Sequence, residues 1–260
     1  MKKAYFISDL HLGAGYLDDK RETERRVVRF LDSIKDDVGE LYLLGDILDY
    51  WYEYRYVVPR GHVRFLGKLA ELADSGVKIT WIVGNHDVWL FDYLRDEVGL
   101  TVLRGATQMS ILGTRFLLSH GDDVGRQAPL YRFTRMCFHS RVCQWLYASI
   151  HPRWTVPIAT GWSKQNRTTR TIRQVLAESR DCLARLAEFS VEYAAAHPDV
   201  RHFVYGHLHV PYHDELAGGR TMTVLGEWIS QFTYATWDGH ELALRHFEDN
   251  NKTTNHLPHN

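Results

Sequence analysis

Residues 4–11, Ala-Tyr-Phe-Ile-Ser-Asp-Leu-His, run from an apolar stretch directly into two side chains of types that commonly bind metal ions. The apolar part, Ala4–Ser8, is predicted to be a buried strand because it is a short continuous run of core-forming residues. Asp9 and His11 follow it two residues apart, which places both on the same side of an extended chain. The stretch therefore predicts a strand whose carboxyl end carries a pair of metal ligands.

Four further motifs repeat this arrangement, each directly after a predicted strand. They are Gly45-Asp46, Gly84-Asn85-His86-Asp87, Ser119-His120-Gly121-Asp122 and Gly206-His207-Leu208-His209. In open α/β sheets, ligands gather at the carboxyl ends of strands, so all five motifs are predicted to converge on one crevice. One such motif alone is usually an ordinary surface loop, but five of them at strand ends indicate a shared site.

Helical patterns alternate with the first strands. They cover Glu22–Ile34, a stretch from Pro59 to Gly76, and Val88–Val98. This βαβα order predicts an α/β fold with a largely parallel sheet and helices on its faces. Gln108–Leu112 and Thr114–Ser119, separated by Gly113, predict a hairpin. The later predicted strands are Arg201–Tyr205, Tyr212–Leu216, Thr221–Leu225, Phe232–Trp237 and Glu241–Phe247.

The composition excludes several classes of protein. The chain has 260 residues, 45% of them hydrophobic, and a formal charge of −1. These values exclude a disordered, collagen-like or coiled-coil protein. No run of 18 apolar residues exists, so no transmembrane helix is predicted. Cys137, Cys143 and Cys182 have no zinc-finger spacing, and their odd number favours a reducing cytosol.

The near-zero charge hides a basic segment between the two strand-rich parts. Residues 126–185 carry eleven basic and two acidic side chains, a charge of +9, which leaves −10 on the rest of the chain. The segment also carries large apolar residues, among them Trp145 and Leu146. Arginines suit phosphate oxygens, and an apolar face suits acyl chains or a membrane surface. The alternative is that these aromatics only pack the segment against the body. A nucleic acid fits poorly, because the acidic body would repel a polyanion.

The ligand types indicate which metals the crevice would hold. Asp, Asn and His without Cys favour Mn²⁺, Fe²⁺ or Zn²⁺ over metals that select thiolates. Seven such side chains are too many for one ion and suit two, provided that one carboxylate bridges them. Two ions about 3.5–4 Å apart are the usual arrangement for attack on phosphorus.

Taken together, the five motifs resemble those of the calcineurin-like metallophosphoesterase superfamily. The resemblance implies an α/β fold: a two-sheet sandwich with flanking helices. It implies one metal held by Asp9, His11, Asp46 and His209, and a second held by Asp46, Asn85, His120 and His207. His86 would be the catalytic histidine that meets the substrate phosphate or the leaving group. Asn85 would help to neutralise the phosphate, and Asp87 would orient His86.

A narrower resemblance concerns the substrate. Four parts of the sequence are similar to the UDP-2,3-diacylglucosamine diphosphatases of lipid A synthesis. They are residues 45–51, the motif His120-Gly121-Asp122, the basic segment and residues 225–228. Those enzymes use Mn²⁺ to cleave the UDP pyrophosphate linkage, which releases UMP and 2,3-diacylglucosamine 1-phosphate. Their helical insertion caps the site and holds the acyl chains. Well-known members carry Arg at the position of His86, where this chain keeps the general superfamily residue.

This resemblance implies a metallophosphoesterase core at residues 1–125 and 186–247, a helical cap insertion at 126–185 and a polar tail at 248–260. The residues expected to bind the substrate in the cap are Trp145, Leu146, Lys164, Arg167 and Arg170. We expect a cytoplasmic enzyme on the inner face of the membrane, with a nucleotide-linked glycolipid as substrate and no nucleic acid partner. Two alternatives stay open: a phosphoesterase acting on a soluble nucleotide, a nucleic acid or a phosphoprotein, and a non-catalytic metal-binding scaffold.

Overall fold

The computed structural model describes residues 2–125, 129–168 and 172–248, and its strands form two sheets. The strands are β1 Lys3–Ile7, β2 Val38–Leu44, β3 Lys78–Ile82, β4 Thr101–Leu103, β5 Thr107–Ile111, β6 Thr114–Ser119, β7 Val200–Tyr205, β8 Pro211–Leu216, β9 Arg220–Leu225, β10 Thr233–Trp237 and β11 Leu242–His246. The helices are α1 Lys20–Ile34, α2 Val63–Asp74, α3 Tyr93–Val98, α4 Pro129–His139, α5 Arg141–Ala148, α6 Pro152–Thr168 and α7 Ile172–Ala196.

Both sheets have a parallel centre. The first has the order β11-β10-β1-β2-β3-β4, with β1 to β4 parallel and β10 and β11 antiparallel at one edge. The second has the order β5-β6-β7-β9-β8, with β6, β7 and β9 parallel. Within each parallel centre, the carboxyl ends of the strands lie along one edge of the sheet. The loops that carry the five motifs all leave from such ends.

The sheets pack face to face, as alternation along the strands dictates. Phe6 and Leu44 lie in the apolar layer between the sheets, together with Phe116 and Val204 of the second sheet. The rings of Phe6 and Phe116 stack across this layer with centroids 5.8 Å apart. The neighbouring Ile7 points to the opposite face of the first sheet, into a second core. The predicted α/β sandwich with flanking helices is confirmed.

Helices cover the outer faces of the sandwich. Val27 and Phe30 of α1 and Phe65 of α2 are buried against the first sheet, while Leu186 and Ala194 of α7 are buried against the second. The amphipathic pattern that predicted α1 places its apolar residues on that buried face.

The basic segment forms helices, but they bury little. No residue of α4 or α5 is buried. The helix α7 runs through residue 185 without a break, and its second half belongs to the core. The predicted division of the chain at 185/186 stays a prediction. Among the helices of the described chain, none is both long and apolar enough to cross a membrane.

The prediction of a helix over Val88–Val98 was wrong for its first half, and β4 was not predicted. Only Tyr93–Val98 is helical. The Glu53 carboxylate accepts the backbone N–H groups of Phe91, Asp92 and Tyr93, and this contact fixes where α3 begins. Such a cap comes from a residue about 40 positions away in the sequence, so local periodicity does not reveal it.

Candidate metal centre

The five motifs converge at the carboxyl ends of β1, β2, β3, β6 and β7, and their loops are bonded to one another. The Asp9 N–H donates to the Gly45 carbonyl over 3.1 Å. The His207 N–H donates to Asp9 Oδ2 over 2.9 Å, and the His86 N–H donates to Asp46 Oδ1 over 2.9 Å. Each of these two carboxylates therefore holds the backbone of another motif in place.

Most of the predicted metal ligands have an unusual backbone conformation. Positive φ angles, between 43° and 69°, occur at Asp9, His11, Asp46, His207 and His209. Residues other than glycine rarely adopt this left-handed conformation, although Asp and His do so more often than most. Such strain persists only where the surrounding structure imposes it, and it is concentrated at functional sites. The shared backbone strain is therefore an independent sign that these residues form one functional group.

Two glycines make room for this crowding, for different reasons. Gly45 has a φ of +79°, a turn that a side chain would strain, and a Cβ there would lie 2.6 Å from His120 Nδ1. A Cβ on Gly84 would collide with the backbone and carboxylate of Asp46. Gly45 thus permits the turn, whereas Gly84 permits the close approach of two motifs.

The side chains form three groups in which one ligand atom per residue lies within 4.8 Å of the others. The groups are Asp9, His11 and His209; His11, Asp46 and His86; and Asp46, His120 and His207. Asn85 joins the third group, because its Oδ1 lies 3.3 Å from His120 Nε2. The structure thus brings together all seven residues predicted as ligands.

Asp46 lies between the groups, and its two oxygens face different sides. Oδ1 lies 3.4 Å from His120 Nε2, and Oδ2 lies 3.7 Å from His11 Nε2. Burial raises the pKa of this carboxyl, but the surrounding His120, His86 and His11 rings outweigh it and hold the pKa well below its usual value. An ionised carboxylate with one oxygen on each side is the geometry of a bridging ligand.

The residues fit a pair of divalent cations. Asp9 Oδ1 is buried and has no hydrogen-bond partner in the described chain. His11 Nε2 and His209 Nε2 lie 3.3 Å apart, and Asp9 Oδ1 lies 3.3 Å from His209 Nε2. Ring nitrogens and carboxylate oxygens that converge in this way suit an ion at their centre. Oxygen and imidazole donors without thiolate suit Mn²⁺, Fe²⁺ or Zn²⁺.

His86 is held by Asp49, a residue to which the sequence analysis assigned no role. The His86 Nδ1 lies 3.1 Å from the Asp49 carbonyl and 3.4 Å from Asp49 Oδ1. The same Oδ1 lies 3.4 Å from His11 Nδ1. Burial lowers the pKa of His86, but Asp46 and Asp49 outweigh it and raise the pKa to about 9. The sequence signal that could have pointed to Asp49 is that it is a second carboxylate three residues after Asp46.

Asp87 lies behind the centre, fully buried. Its carboxylate accepts the N–H groups of Ile47 and Gly84 over 2.9 and 2.7 Å, and the Trp81 indole N–H over 3.1 Å. Burial and the negative charge of Asp46 raise the pKa of this carboxyl to about 6. Its hydrogen bonds join the Asp46 loop to the loop of Asn85 and His86. Asp87 therefore holds the backbone of these two loops, whereas the side chain that contacts the His86 ring is Asp49.

A family model, "Calcineurin-like phosphoesterase", matches residues 2–211, which include every motif of this centre. The chain belongs to the calcineurin-like phosphoesterase family. It is a hydrolase, and the His and Asp cluster is its divalent-metal site.

Two named proteins are similar to this calcineurin-like phosphoesterase along most of its length. A UDP-2,3-diacylglucosamine hydrolase of Porphyromonas gingivalis is 40% identical over 95% of this chain and 98% of its own. A protein of the same name from Neisseria meningitidis is 28% identical over 89% of this chain and 92% of its own. Among solved structures, a dimetal phosphatase from Danio rerio is similar with a TM-score of 0.44 and 15% identity, over 90% of this chain and 91% of its own.

All of the predicted cap residues are distant from the metal ligands in the sequence, and two of them, Trp145 and Leu146, lie on the surface. Trp145 and Leu146 of α5 are 69% and 53% exposed. Lys164 and Arg167 lie within α6, and Arg170 lies outside the described residues. The structure therefore brings the metal ligands together and leaves Trp145 and Leu146 facing outward.

Tyrosines of the loop after β2 join the body of this phosphoesterase to the helices of the basic segment. The Tyr50 and Tyr147 hydroxyls lie 3.1 Å apart, and the Tyr52 hydroxyl donates to the Gln144 carbonyl over 2.7 Å. The Tyr54 hydroxyl lies 2.9 Å from Thr155 Oγ1. These tyrosines begin one residue after Asp49, so the loop that positions His86 also supports α5 and α6.

Proposed function

We propose that the chain hydrolyses the pyrophosphate bond of UDP-2,3-diacylglucosamine, which releases UMP and 2,3-diacylglucosamine 1-phosphate. The observation that carries this proposal is a contrast within the basic segment: it is strongly basic, yet many of its large apolar residues face solvent. At least half of the surface is exposed on each of Leu130, Phe133, Met136, Val142, Trp145, Leu146, Ile150, Trp154 and Ile158.

The alternative is that these side chains only pack the cap against the body. That role fits other apolar residues of the cap, not the exposed ones. Phe138, Tyr147 and Val156 are partly buried against the body and serve that purpose. Trp145 and Trp154, at 69% and 62% exposure, do not. Exposed apolar patches on soluble proteins generally mark binding sites. A diacylated substrate supplies acyl chains for the patch and phosphates for the metal centre, and the names of the similar proteins support the same choice.

Two divalent ions at the centre, which we propose to be Mn²⁺, would supply Lewis-acid stabilisation of the phosphate charge and a nucleophile at neutral pH. Asp9, His11, Asp46 and His209 would hold one ion, and Asp46, Asn85, His120 and His207 the other. Fe²⁺ and Zn²⁺ suit the same donors. Metal content and activity after loading with each ion in turn would decide between them, and we expect the highest activity with Mn²⁺.

His86 acts on the substrate in this proposal. The Asp49 carbonyl accepts a hydrogen bond from the Nδ1–H of His86. The Nε2 of His86, which lies 3.9 Å from Asp46 Oδ2, is therefore left to face the reacting phosphate. The neighbouring carboxylates of Asp46 and Asp49 raise the pKa of the ring, which favours its protonated form. It can therefore donate a hydrogen bond to a phosphate oxygen or a proton to the leaving group.

The experiment is to compare hydrolysis of UDP-2,3-diacylglucosamine, UDP-glucose and bis-p-nitrophenyl phosphate by the Mn²⁺-loaded chain. We expect kcat/KM for the diacylated substrate to exceed that for UDP-glucose by at least about 10²-fold, because each buried methylene contributes roughly 0.8 kcal/mol. Equal values for these two UDP-sugars would contradict the proposal and favour a phosphoesterase that acts on soluble nucleotides.

We further propose that the chain is cytoplasmic and binds the inner face of the membrane through the same exposed residues. Cosedimentation with vesicles of phosphatidylglycerol and phosphatidylethanolamine tests this. Substitution of Trp145 and Trp154 by Ser should reduce the bound fraction, whereas Val191→Ser, at an exposed apolar residue of α7, should not. Equal binding by both variants would exclude the cap as the membrane contact.

A further inference from the structure

A cleft of about 600 Å³ opens directly beside the metal centre. Leu12, Gly13 and Asp49, from the loops of two motifs, line its inner end. Its outer walls are the first turn of α1, the loop that precedes α2, and the start of α6. Asp49 contacts both His11 and His86, so the inner end of the cleft adjoins the centre on the His11 side. A volume of this size is ordinary for a small-molecule site.

The walls of this cleft carry an excess of positive charge. Lys20, Arg21, Arg60 and Arg64 line it, and in the ranges that the structure covers none of the four forms an ion pair with a carboxylate. Glu24 also lines the cleft, but its Oε1 already accepts the backbone N–H groups of Arg64 and Phe65 at the start of α2. The cations are thus left for an anionic ligand.

The cleft also has an apolar wall. Val58 and Pro59 form one side, and Pro152 and Val156 of α6 form the other. This wall is short, and its residues are partly covered, unlike the extended exposed surface of α4 and α5. A flat ring with polar edges suits a wall of this size, whereas two acyl chains do not.

A second cavity, of about 810 Å³, lies on the side of the centre that follows His120. It is lined by Asp123 and by Tyr131, Arg135 and Met136 of the cap helix α4. Two of its polar side chains already have partners: Arg135 donates to Asp123 over 3.0 Å, and Tyr131 donates to Asp122 over 2.7 Å. It adjoins the exposed apolar residues of α4, so its surroundings suit the acylated half of a substrate.

We propose that the cleft between α1, α2 and α6 binds the nucleoside monophosphate half of the substrate. The inference rests on the proposed function, because a substrate cleaved at a pyrophosphate has two halves that extend on opposite sides of the metals. The four unpaired cations contact the phosphate and sugar hydroxyls of the nucleotide, and the wall of Val58 and Pro59 receives its base. The acylated half then lies toward α4 and α5.

The test measures binding of UMP, without any substrate, to the full chain loaded with Mn²⁺, by equilibrium dialysis. Arg60→Ala and Lys20→Ala should each weaken UMP binding by about tenfold, since each removes a charge-assisted hydrogen bond. Arg25→Ala provides the matched control. Arg25 lies on the same helix as Lys20 but outside the cleft, with its guanidinium 4.0 Å from Glu22, and this variant should bind UMP within about twofold of the parent chain.

Circular dichroism and metal content show whether each variant is folded and loaded. Arg60→Lys, which keeps the charge, serves as a second variant and should recover part of the lost affinity. Unchanged UMP affinity in folded Arg60→Ala and Lys20→Ala would overturn the proposal. So would a loss of affinity in Arg132→Ala, because Arg132 lines the second cavity.

Failure of this inference is distinct from failure of the proposed function. A chain that binds UMP through Arg60 and Lys20, yet does not hydrolyse the diacylated substrate, would refute the proposed function and keep the cleft as a nucleotide site. If the chain hydrolyses that substrate, but the Arg60→Ala and Lys20→Ala variants bind UMP as well as the parent chain, only the assignment of the cleft as the nucleotide site would be refuted.

Discussion

The metal centre and the cap differ in how firmly the fold holds their side chains. At the centre, Asp9 and His11 are completely buried, their backbone is strained, and each loop is bonded to a neighbouring loop. In the cap, α4 and α5 bury no residue, and Trp145 is 69% exposed. Pre-organised groups serve chemistry that needs fixed positions. An exposed apolar surface serves binding of a large partner.

This contrast assigns different tasks to the two regions. The centre determines which bond can be attacked, and it would do so for any phosphate ester that reaches it. In the proposed function, the cap determines which molecule reaches the centre. Substitutions in the two regions should therefore produce different kinds of defect, and the following experiments separate them in order of decreasing effect.

The largest effect should come from Asp46→Ala. Its two oxygens face the two sides of the centre, so the substitution should remove metal as well as activity. We expect kcat/KM to fall by about 10³-fold or more, because loss of even one transition-state interaction costs roughly 10²–10³-fold. Elemental analysis checks the metal. Asp36→Ala, at an exposed position before β2, is the control, and two ions per chain in Asp46→Ala would contradict the bridging role.

His86→Ala should keep both ions and lower kcat by about 10²–10⁴-fold, the range for loss of a proton donor. Steady-state kinetics and metal content together check this. His86→Arg restores a positive charge and should retain part of the activity on the diacylated substrate. If His86→Ala loses an ion, the residue belongs among the metal ligands and not with the substrate.

Asp49→Asn should lower activity or metal affinity by about 10–100-fold, as expected for a group that orients both the proposed metal ligand His11 and the proposed catalytic residue His86. Its effect should appear in kcat more than in KM, and the pH at which the rate changes should move, because the pKa of His86 depends on this carboxylate. Asp74→Asn, at the exposed end of α2, is the control. Equal kinetics in both variants would exclude a positioning role.

In the cap, the double substitution Trp145→Ser and Leu146→Ser should change selectivity. The ratio of kcat/KM for the diacylated substrate to that for bis-p-nitrophenyl phosphate should fall by about tenfold or more, since several methylene contacts of roughly 0.8 kcal/mol each are lost. Val191→Ser is the matched control outside the cap. A parallel loss of both activities in a folded, metal-loaded variant would show that the cap is only structural.

The smallest effect should be on stability. Gly161 lies inside α6, and a Cβ added there meets none of the described residues within 4 Å. Gly161→Ala should therefore raise the free energy of unfolding by about 0.5–1 kcal/mol, because alanine loses less entropy in a helix. Urea titration by circular dichroism measures the change. A lower stability would show that this position is packed, contrary to the exposed character of the cap.

The sequence predicted much of the fold because the relevant signals are local. The run Ala4–Ser8 and the apolar face of Glu22–Ile34 each show the period of their element, and β1 and α1 lie where these patterns place them. The start of α3 could not be predicted in this way. It depends on Glu53, a residue distant in sequence that caps the helix.

The candidate site shows the same division. The spacing of Asp9 and His11 was informative because alternation along an extended chain is a local property. The link from Asp49 to both His11 and His86 depends on how three loops meet, and no spacing within one loop encodes it. The exposure of Trp145 was equally hidden, since a tryptophan in a helix is compatible with a core or with a surface.

The ligands come from both sheets: Asp9, Asp46 and Asn85 follow strands of the first, and His120 and His207 follow strands of the second. Ions held by such a set would crosslink the two layers, in addition to the apolar contacts and the hydrogen bond from His207 to Asp9. Binding to the folded state alone stabilises it by about 2.7 kcal/mol when the free ion is at a hundred times its dissociation constant. The concentration of free metal would therefore change the fraction of chains that are folded. A cell short of the ion would hold fewer folded molecules, which adds to the loss of activity in each one.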